Sequence, residues 1–217
     1  MSVLGKLATA LGRRDEVPNQ ELARRIVRER NTAAVQELVE NLGHKDRGIQ
    51  GDCIKTLYEI GAANPDLIAK YYKEFGQLLE SKNKRLVWGA VMALDTIALK
   101  EPKGVHRLLA KILEAVDRSG SVIARDHAVG ILARLGTLKP YQRDCLALLI
   151  EQLLVCPDNQ FPMYAEKCVP VIDAGNRERF RRVIEQRASQ LERESARKRV
   201  AKVLRKLTHN KPQIPTD

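Results

Sequence analysis

The chain has 217 residues, of which 44% are hydrophobic, 30% are charged and only 4% are aromatic. This length fits one large domain or one short array of repeats. No run of about 18 apolar residues occurs, so the sequence predicts no membrane span. Because aromatic residues are so few, we expect an aliphatic core of the kind found between packed helices rather than in sheets.

The first segment, residues 1–18, is predicted to form a short amphipathic helix that caps the repeats described below. Its apolar side chains are Val3, Leu4, Leu7 and Leu11. The basic pair Arg13-Arg14 follows the apolar stretch, which is not the order of a secretion signal. The alternative is a helix that anchors the chain to a membrane or to a partner.

The four cysteines form no Cys-x-x-Cys pair, and no histidine lies at a metal-ligand spacing from them. They are Cys53, Cys145, Cys156 and Cys168. All but Cys156 lie in apolar helical runs, where cysteine behaves as a small buried hydrophobe. Without a secretion signal, this usage predicts a cytoplasmic location, where thiols stay reduced.

A recurring helix stop organises the rest of the chain. Ile60-Gly61, Ile97-Ala98, Leu135-Gly136 and Asp173-Ala174 each end a helical segment, at spacings of 37, 38 and 38 residues. This period predicts stacked helical hairpins, because one hairpin cannot bury its own apolar face. The predicted order is a repeat domain over 19–207, with hairpins at about 19–42, 45–80, 83–116, 121–155 and 159–191, a final helix over 192–207, and a disordered tail over 208–217.

Aligning the first helices of the last four hairpins reveals a shared pattern. A small residue comes first, at Cys53, Ala90, Ala128 and Cys168. A branched residue follows at once, at Ile54, Val91, Val129 and Val169, and an aliphatic residue three positions later, at Leu57, Leu94, Leu132 and Ile172. This spacing is typical of the buried stripe of a helix, and the small residue allows neighbouring helices to approach closely.

The pattern resembles the HEAT-repeat family, with armadillo-type repeats as a near relative. The stretches that carry the resemblance are 46–65 and 83–98, each with a polar turn, a helix with a small residue at mid-length, and an Ile-Gly-like stop. The resemblance implies an all-α, right-handed superhelix (solenoid) of about five HEAT-like hairpins, whose second helices line the concave side. The last hairpin departs from the pattern, because Pro170 lies in its interior and predicts a kink.

No catalytic motif is present, so the sequence predicts a non-catalytic scaffold or adaptor that needs no cofactor or metal. A solenoid presents a long shallow surface, which favours a protein or an extended peptide as the partner. The candidate contact residues are Trp88 on a first helix and, on the second helices, Lys70, Lys73, Glu74, Arg107, Lys111, Arg143 and Gln152. The alternative is a HEAT-like protein that binds nucleic acid through basic terminal helices; a DNA-glycosylase-like enzyme fits less well, because aromatic residues are sparse.

The net charge of +11 is concentrated at the C-terminal end: residues 1–30 carry +3, residues 31–175 carry zero, and residues 176–217 carry +8. The candidate basic patch comprises Arg177, Arg181, Arg182, Lys198, Lys202, Arg205 and Lys206. Three interpretations stay open, namely a solvated end cap, a surface for an acidic protein, and a phosphate-binding track for nucleic acid.

Overall fold

The computed structural model describes residues 2–209. Within that range the chain forms twelve α-helices joined by turns and short 3-10 segments, with no strand, which confirms the all-α class. The chain divides into two compact units, Met1–Ile131 and Leu132–Asp217. Of the tail expected over 208–217, residues 208 and 209 belong to the last helix, and residues 210–217 lie outside the described range.

The first unit contains three helical hairpins and the start of a further helix. Its elements are α1 (Val17–Glu29), α2 (Thr32–Glu40), α3 (Arg47–Ala63), α4 (Tyr72–Leu78), α5 (Lys84–Ile97), α6 (Pro102–Arg107), α7 (Leu109–Ser119) and the first part of α8 (Val122–Gly136). The first helices α1, α3 and α5 pack side by side, and α4, α6 and α7 pack along α5. Each helix therefore buries its apolar face against its own hairpin and the next one.

Polar side chains fix where three of these helices begin. Asn31, Asp46 and Asn83 each accept a hydrogen bond from a backbone N–H in the first turn of α2, α3 and α5 respectively. Such caps satisfy donors that have no partner within the helix. At the C-terminal ends, Arg30 and Gly120 adopt left-handed backbone conformations that stop α1 and α7.

The shared small-residue pattern forms the core of the first helices. Cys53, Ala90 and Ala128 are all buried, and so are the branched residues that follow them. Gly61 lies inside α3, which continues to Ala63 and so does not end at the predicted Ile60-Gly61 stop. A Cβ at Gly61 would lie 2.2 Å from Thr96 Oγ1 and 2.6 Å from Ile68 Cδ1, so a minimal side chain is needed there. The small residues of the repeat pattern therefore mark positions where neighbouring helices approach each other closely.

The second helices of the first unit are more irregular than the sequence suggested. The segment from Pro65 to Tyr71 forms two 3-10 turns before α4 begins, and the helix predicted after Pro102 is divided at Leu108 into α6 and α7. Leu108 packs against Gly76 of α4, where a Cβ would lie 2.9 Å from Leu108 Cδ1. This contact between neighbouring second helices accompanies the break.

The prediction of an N-terminal helix over residues 1–18 is wrong. Only Leu4–Lys6 forms a single 3-10 turn, and the chain then bends irregularly until α1. The amides of Ala8 and Thr9 donate to side chains of Asn19, at 3.0 Å, and Asp52, at 2.7 Å, instead of to carbonyls within a helix. Polar side chains thus compete with helical hydrogen bonding here.

The second unit contains the end of α8 followed by α9 (Lys139–Val155), α10 (Phe161–Cys168), α11 (Arg177–Ala188) and α12 (Glu194–His209). Helix α9 packs against α10 and α11, and α12 packs against both α10 and α11. The core includes Phe161, Tyr164, Phe180 and Val200, which are all buried. The kink expected at Pro170 is instead a helix end: α10 stops at Cys168, and Val169–Val171 forms a 3-10 turn, because proline has no N–H to continue an α-helix.

Arginines from later helices close the ends of earlier ones in both units. In the first unit, Arg118 Nη2 of α7 donates to the carbonyl of Leu79 at the end of α4, at 2.6 Å. In the second unit, Arg187 of α11 donates to the carbonyls of Leu154, at 2.9 Å, and Cys156, at 2.8 Å, at the end of α9. These guanidinium groups satisfy carbonyls that have no partner within the helix.

Candidate functional site

Five cationic residues on second helices are predicted from the sequence to contact a partner. Four of these five residues lie in the first unit. We call α2, the 3-10 turn Ala69–Tyr71 with α4, and α6 with α7 the second-helix face. Lys70, Lys73 and Arg107 are exposed on it, and Lys111 Nζ lies 3.0 Å from Glu80 Oε1. The fifth residue, Arg143, is exposed on α9 in the second unit.

A groove of about 450 Å³ separates α2 from the Ala69–Tyr71 turn and α4. Its lining residues are Gln36, Val39, Glu40, Lys70, Tyr71 and Glu74. Gln36 Nε2 donates to Glu40 Oε1 at 2.8 Å. Glu74 Oε2 is buried and accepts no hydrogen bond. We call this feature the α2–α4 groove; of its residues, the sequence alone identified Lys70 and Glu74.

Two lysines on this face lie over aromatic rings. Lys70 Nζ is 4.9 Å from the centroid of the Tyr71 ring, and Lys73 Nζ is 6.0 Å from that of Tyr72. A cation over an aromatic face is attracted by the ring quadrupole. Both lysines are thus held close to the surface by neighbouring tyrosines, although neither forms an ion pair among residues 2–209.

Trp88 lies on the first helix α5, away from the second-helix face. Its side chain is partly buried, and its ring centroid is 6.5 Å from that of Tyr58 on α3. Lys55 Nζ lies 4.8 Å from the Tyr58 ring and forms ion pairs with Glu16, at 2.8 Å, and Glu59, at 2.6 Å. The tryptophan therefore joins a packed contact between adjacent first helices, and sequence analysis did not anticipate the buried Lys55 beside it.

The predicted basic patch consists of two parts with different electrostatics. On α11, Arg181 pairs with Glu178 and Glu185, both at 2.8 Å, and Arg182 pairs with Glu178 at 3.2 Å. Hydrogen bonds from Arg181 and Arg182 lower the pKa of Glu178 to about 2. The charge of these two arginines is therefore balanced within their own helix. Arg177 is partly buried at the start of α11.

The part on α12 keeps a strong cationic excess. Lys202, Arg205 and Lys206 are exposed on it, and Lys198 pairs with Glu194 at 2.7 Å. Arg199, which the sequence analysis did not select, donates two hydrogen bonds to Glu166, at 2.9 and 2.7 Å. These bonds lower the pKa of Glu166, and the charges of Lys206 and Lys202 lower it further.

The second unit also contains a cavity of about 360 Å³ at the start of α12. Asp158 and Arg199 contribute to its lining. Both are already engaged, Asp158 with Arg187 at 3.0 Å and Arg199 with Glu166 at 2.7 Å. The charges of Asp158 and Arg199 are therefore compensated within the second unit.

Two further features of the chain concern metal binding and membrane insertion. Across residues 2–209, no group of three or more His, Cys, Asp or Glu side chains is arranged to hold a metal ion. In the same part of the chain, none of the helices combines the length and the apolar character that crossing a membrane requires.

Comparison with known proteins identifies the fold. No protein-family profile matches the chain, and no curated protein matches it. An engineered protein solved by a structural genomics consortium is similar, with a TM-score of 0.62 and 20% identity over 95% of this chain and 99% of its own. A structure of computationally designed armadillo repeat proteins for modular peptide recognition is similar at a TM-score of 0.64 and 14% identity, covering 88% of this chain and 92% of the other.

A further similar structure is a designed armadillo repeat protein in complex with the peptide (KR)4, with a TM-score of 0.62 and 15% identity over 87% of this chain and 86% of its own. At these identities the likeness concerns the fold alone. The chain therefore has an armadillo/HEAT-like helical repeat fold, which confirms the resemblance found in the sequence.

Proposed function

We propose that this chain is a non-catalytic scaffold that binds an extended peptide along the second-helix face of its first unit. The observation that carries the proposal is the α2–α4 groove, an open depression of about 450 Å³ lined by charged and aromatic side chains. Exposed Lys73 and Arg107 lie on the helices that follow along the same face. Together they offer a row of polar anchor points without any catalytic constellation.

The geometry of packed helices favours an extended ligand. Neighbouring helix axes lie about 8–10 Å apart, and an extended chain advances about 3.3 Å per residue. A peptide that crosses the helices therefore places roughly one side chain in each groove for every three of its residues. Among the similar structures, one was designed for modular peptide recognition and another holds the peptide (KR)4, which supports the analogy.

The test begins with a phage-displayed library of random dodecapeptides, selected on the full-length chain. Selected peptides are then labelled with fluorescein, and their affinity is measured by fluorescence anisotropy. We expect K73E/R107E to weaken binding about tenfold or more, since central interface residues cost upwards of about 1.4 kcal/mol. The matched control is K45E/K84E, which reverses two exposed charges elsewhere. Failure to select any peptide, or equal binding by both variants, contradicts the proposal.

A second candidate function is supported by α12, whose exposed Lys202 and Lys206 create a positive potential that extends to Glu166. Such a surface suits the phosphates of nucleic acid. Random-sequence duplex DNA and RNA should then bind in a mobility-shift assay at about 50 mM salt and lose about a thousandfold in affinity by about 200 mM. K202E/K206E should abolish the shift. Absence of binding at the lower salt concentration rejects this candidate.

We also propose a cytoplasmic location. All four cysteines are buried and unbridged, which suits a reducing compartment. Fractionation of cells that produce the tagged chain tests this assignment, and recovery outside the cytoplasmic fraction contradicts it.

A further inference from the structure

We infer that α12 binds double-stranded DNA by lying in its major groove. This inference rests on the second candidate function, nucleic-acid binding by α12, and names the form of nucleic acid and the way in which the helix engages it. Three features of α12 carry it, namely the density of its positive charge, the distribution of that charge around the helix, and the burial of its large apolar side chains.

Positive charge is concentrated on α12. Its 16 residues include six basic residues and one acidic residue, a net charge of +5, whereas residues 31–175 together carry zero. Lys198 pairs with Glu194, and Arg199 pairs with Glu166. Three further basic residues are exposed and have no carboxylate partner within residues 2–209, namely Arg197, Lys202 and Lys206. The helix therefore keeps a cationic excess that the second unit does not neutralise.

The cations surround the exposed side of the helix instead of forming one narrow row. An α-helix turns by about 100° per residue, so Arg197 and Lys206, which are nine residues apart, lie on opposite flanks of α12. Lys202 and Arg205 are exposed on the arc between them. The remaining arc carries the buried residues Val200, Val203 and Leu207. A partner that uses all of these charges must therefore contact α12 from both flanks.

The major groove of B-form DNA provides contacts on both flanks. A helix with its side chains is about 10–12 Å in diameter, and this groove is about 12 Å wide. Phosphates of both strands border the groove, so cations on opposite flanks of α12 each face one strand. From Arg197 to Lys206 the helix advances about 13–14 Å. Duplex DNA carries one negative charge per about 1.7 Å of its axis, which amounts to about eight phosphates over this length.

Other anionic partners fit this surface less well. The major groove of A-form RNA is too deep and narrow for side chains to read, and single strands are usually held by stacked aromatic residues, which the sequence of α12 lacks. A flat anionic membrane would contact only the outermost cations. The cores of protein interfaces are depleted in lysine, and along the described part of α12 no large apolar side chain is exposed.

The experiment measures the affinity of the full-length chain for a short fluorescein-labelled DNA duplex of mixed sequence by fluorescence anisotropy. We expect this duplex to bind at least about tenfold more tightly than an RNA duplex or a DNA single strand of the same sequence. A duplex whose thymines carry a bulky C5 substituent has its major groove obstructed and should also bind about tenfold more weakly. Netropsin, which occupies the minor groove, should leave binding unchanged.

Substitutions test the two flanks of the helix. R197E/K206E should weaken duplex binding about a hundredfold or more, because repulsion replaces attraction on both sides. K202Q removes one positive charge and should reduce the slope of log affinity against log salt concentration by about 0.9. K45E/K84E, which changes the net charge of the chain by the same amount as R197E/K206E, is the matched control and should bind like the unmodified chain. Circular dichroism melting verifies that each variant is folded.

The outcomes separate this inference from the candidate function on which it rests. Equal affinity for the DNA duplex, the RNA duplex and the C5-substituted duplex would mean that α12 contacts only the outside of the backbone. That result overturns the inference and leaves nucleic-acid binding intact. The inference also fails if polyglutamate competes as well as unlabelled duplex at equal charge, which would favour an acidic protein as the partner. If no nucleic acid binds at about 50 mM salt, both fail.

Discussion

The backbone amide of Thr9 donates a hydrogen bond of 2.7 Å to Asp52 Oδ2, across 43 residues of sequence. The other carboxylate oxygen of Asp52 accepts from Asn19 Nδ2 at 2.9 Å, and Asn19 Oδ1 accepts from the amide of Ala8 at 3.0 Å. Asp52 is buried within α3. One carboxylate on the second hairpin therefore holds the irregular N-terminal segment and α1 in place.

Asp52→Asn should destabilise the first unit by about 1–3 kcal/mol, because the amide group places a donor where acceptors are needed and leaves a buried partner unsatisfied. The segment before Val17 should also become sensitive to limited proteolysis. Urea denaturation and mass spectrometry of early cleavage products measure both effects. Asp66→Asn, at an exposed position, serves as the control; an identical cleavage pattern in the two variants would refute this role of Asp52.

Arg187→Ala should reduce the stability of the second unit by about 1–3 kcal/mol, since the hydrogen bond from a charged group to the part-buried carbonyl of Cys156 is lost. The side chain is 12% exposed and serves the end of α9 and Asp158 together. Hydrogen exchange should accelerate at the C-terminal end of α9. Arg182→Ala, which removes an arginine that is 77% exposed, should change stability by no more than about 0.5 kcal/mol. Equal effects of the two substitutions would rule out the capping role.

Gly61→Ala should cost about 1–3 kcal/mol, because Thr96 and Ile68 must move away from the added methyl group. Gly43→Ala is the matched control: no atom lies within 4 Å of a Cβ at that position, so stability should change by about 0.5 kcal/mol or less. Thermal unfolding of the two variants provides the comparison. A Gly61 variant as stable as the Gly43 variant would show that α3 and α5 can separate freely.

Glu178 should titrate far below an ordinary glutamate. Its pKa falls from 4.5 to about 2 in the folded chain, because Arg181 and Arg182 donate hydrogen bonds to the charged form. The stabilisation of α11 by these pairs is therefore complete above pH 4.5 and is lost as the pH falls towards 2. Carboxyl ¹³C NMR should place the midpoint near 2 and shift it upward in R181A/R182A. An unchanged midpoint in the variant would contradict this cause.

The buried thiols should resist modification in the folded chain. Burial raises the pKa of Cys53, Cys145 and Cys168 to about 12, so almost no reactive thiolate is present at pH 8. We expect slow reaction with a thiol-specific disulfide reagent in native buffer and rapid reaction of four thiols in urea. Fast labelling of the native chain would indicate frequent local opening around these residues.

The fold could be predicted from the sequence because its main signal is local. Ile60, Ile97 and Leu135 recur at a fixed period and are all fully buried in the structure. The buried stripe of one helix depends only on the helical period, so the spacing of apolar residues within a short sequence segment reveals it. The signal fails where packing between hairpins decides the outcome. Leu108 interrupts a second helix at its contact with Gly76, 32 residues earlier. No sequence pattern around either residue indicates this contact.

The candidate site could be predicted only in part, because it also depends on packing between hairpins. Lys70 and Lys73 could be assigned to a second helix from the repeat pattern; the structure places Lys73 on α4 and Lys70 on the 3-10 turn just before it. The groove itself depends on the register between Glu40 and Glu74, which belong to different hairpins. Likewise, the sequence could not separate the internally balanced Arg181 from the uncompensated Lys202, because that distinction depends on which side chains meet across helix turns.

The use of arginines to close helix ends has a consequence for how the chain comes apart. Arg118 and Arg187 belong to the hairpin after the one whose carbonyls they bind, so the loss of a later hairpin also exposes the end of its predecessor. Neighbouring hairpins within a unit should then melt with strong nearest-neighbour cooperativity rather than fray one by one. A truncation that removes such an arginine would therefore destabilise a helix of the preceding hairpin, although that helix lies outside the deleted segment.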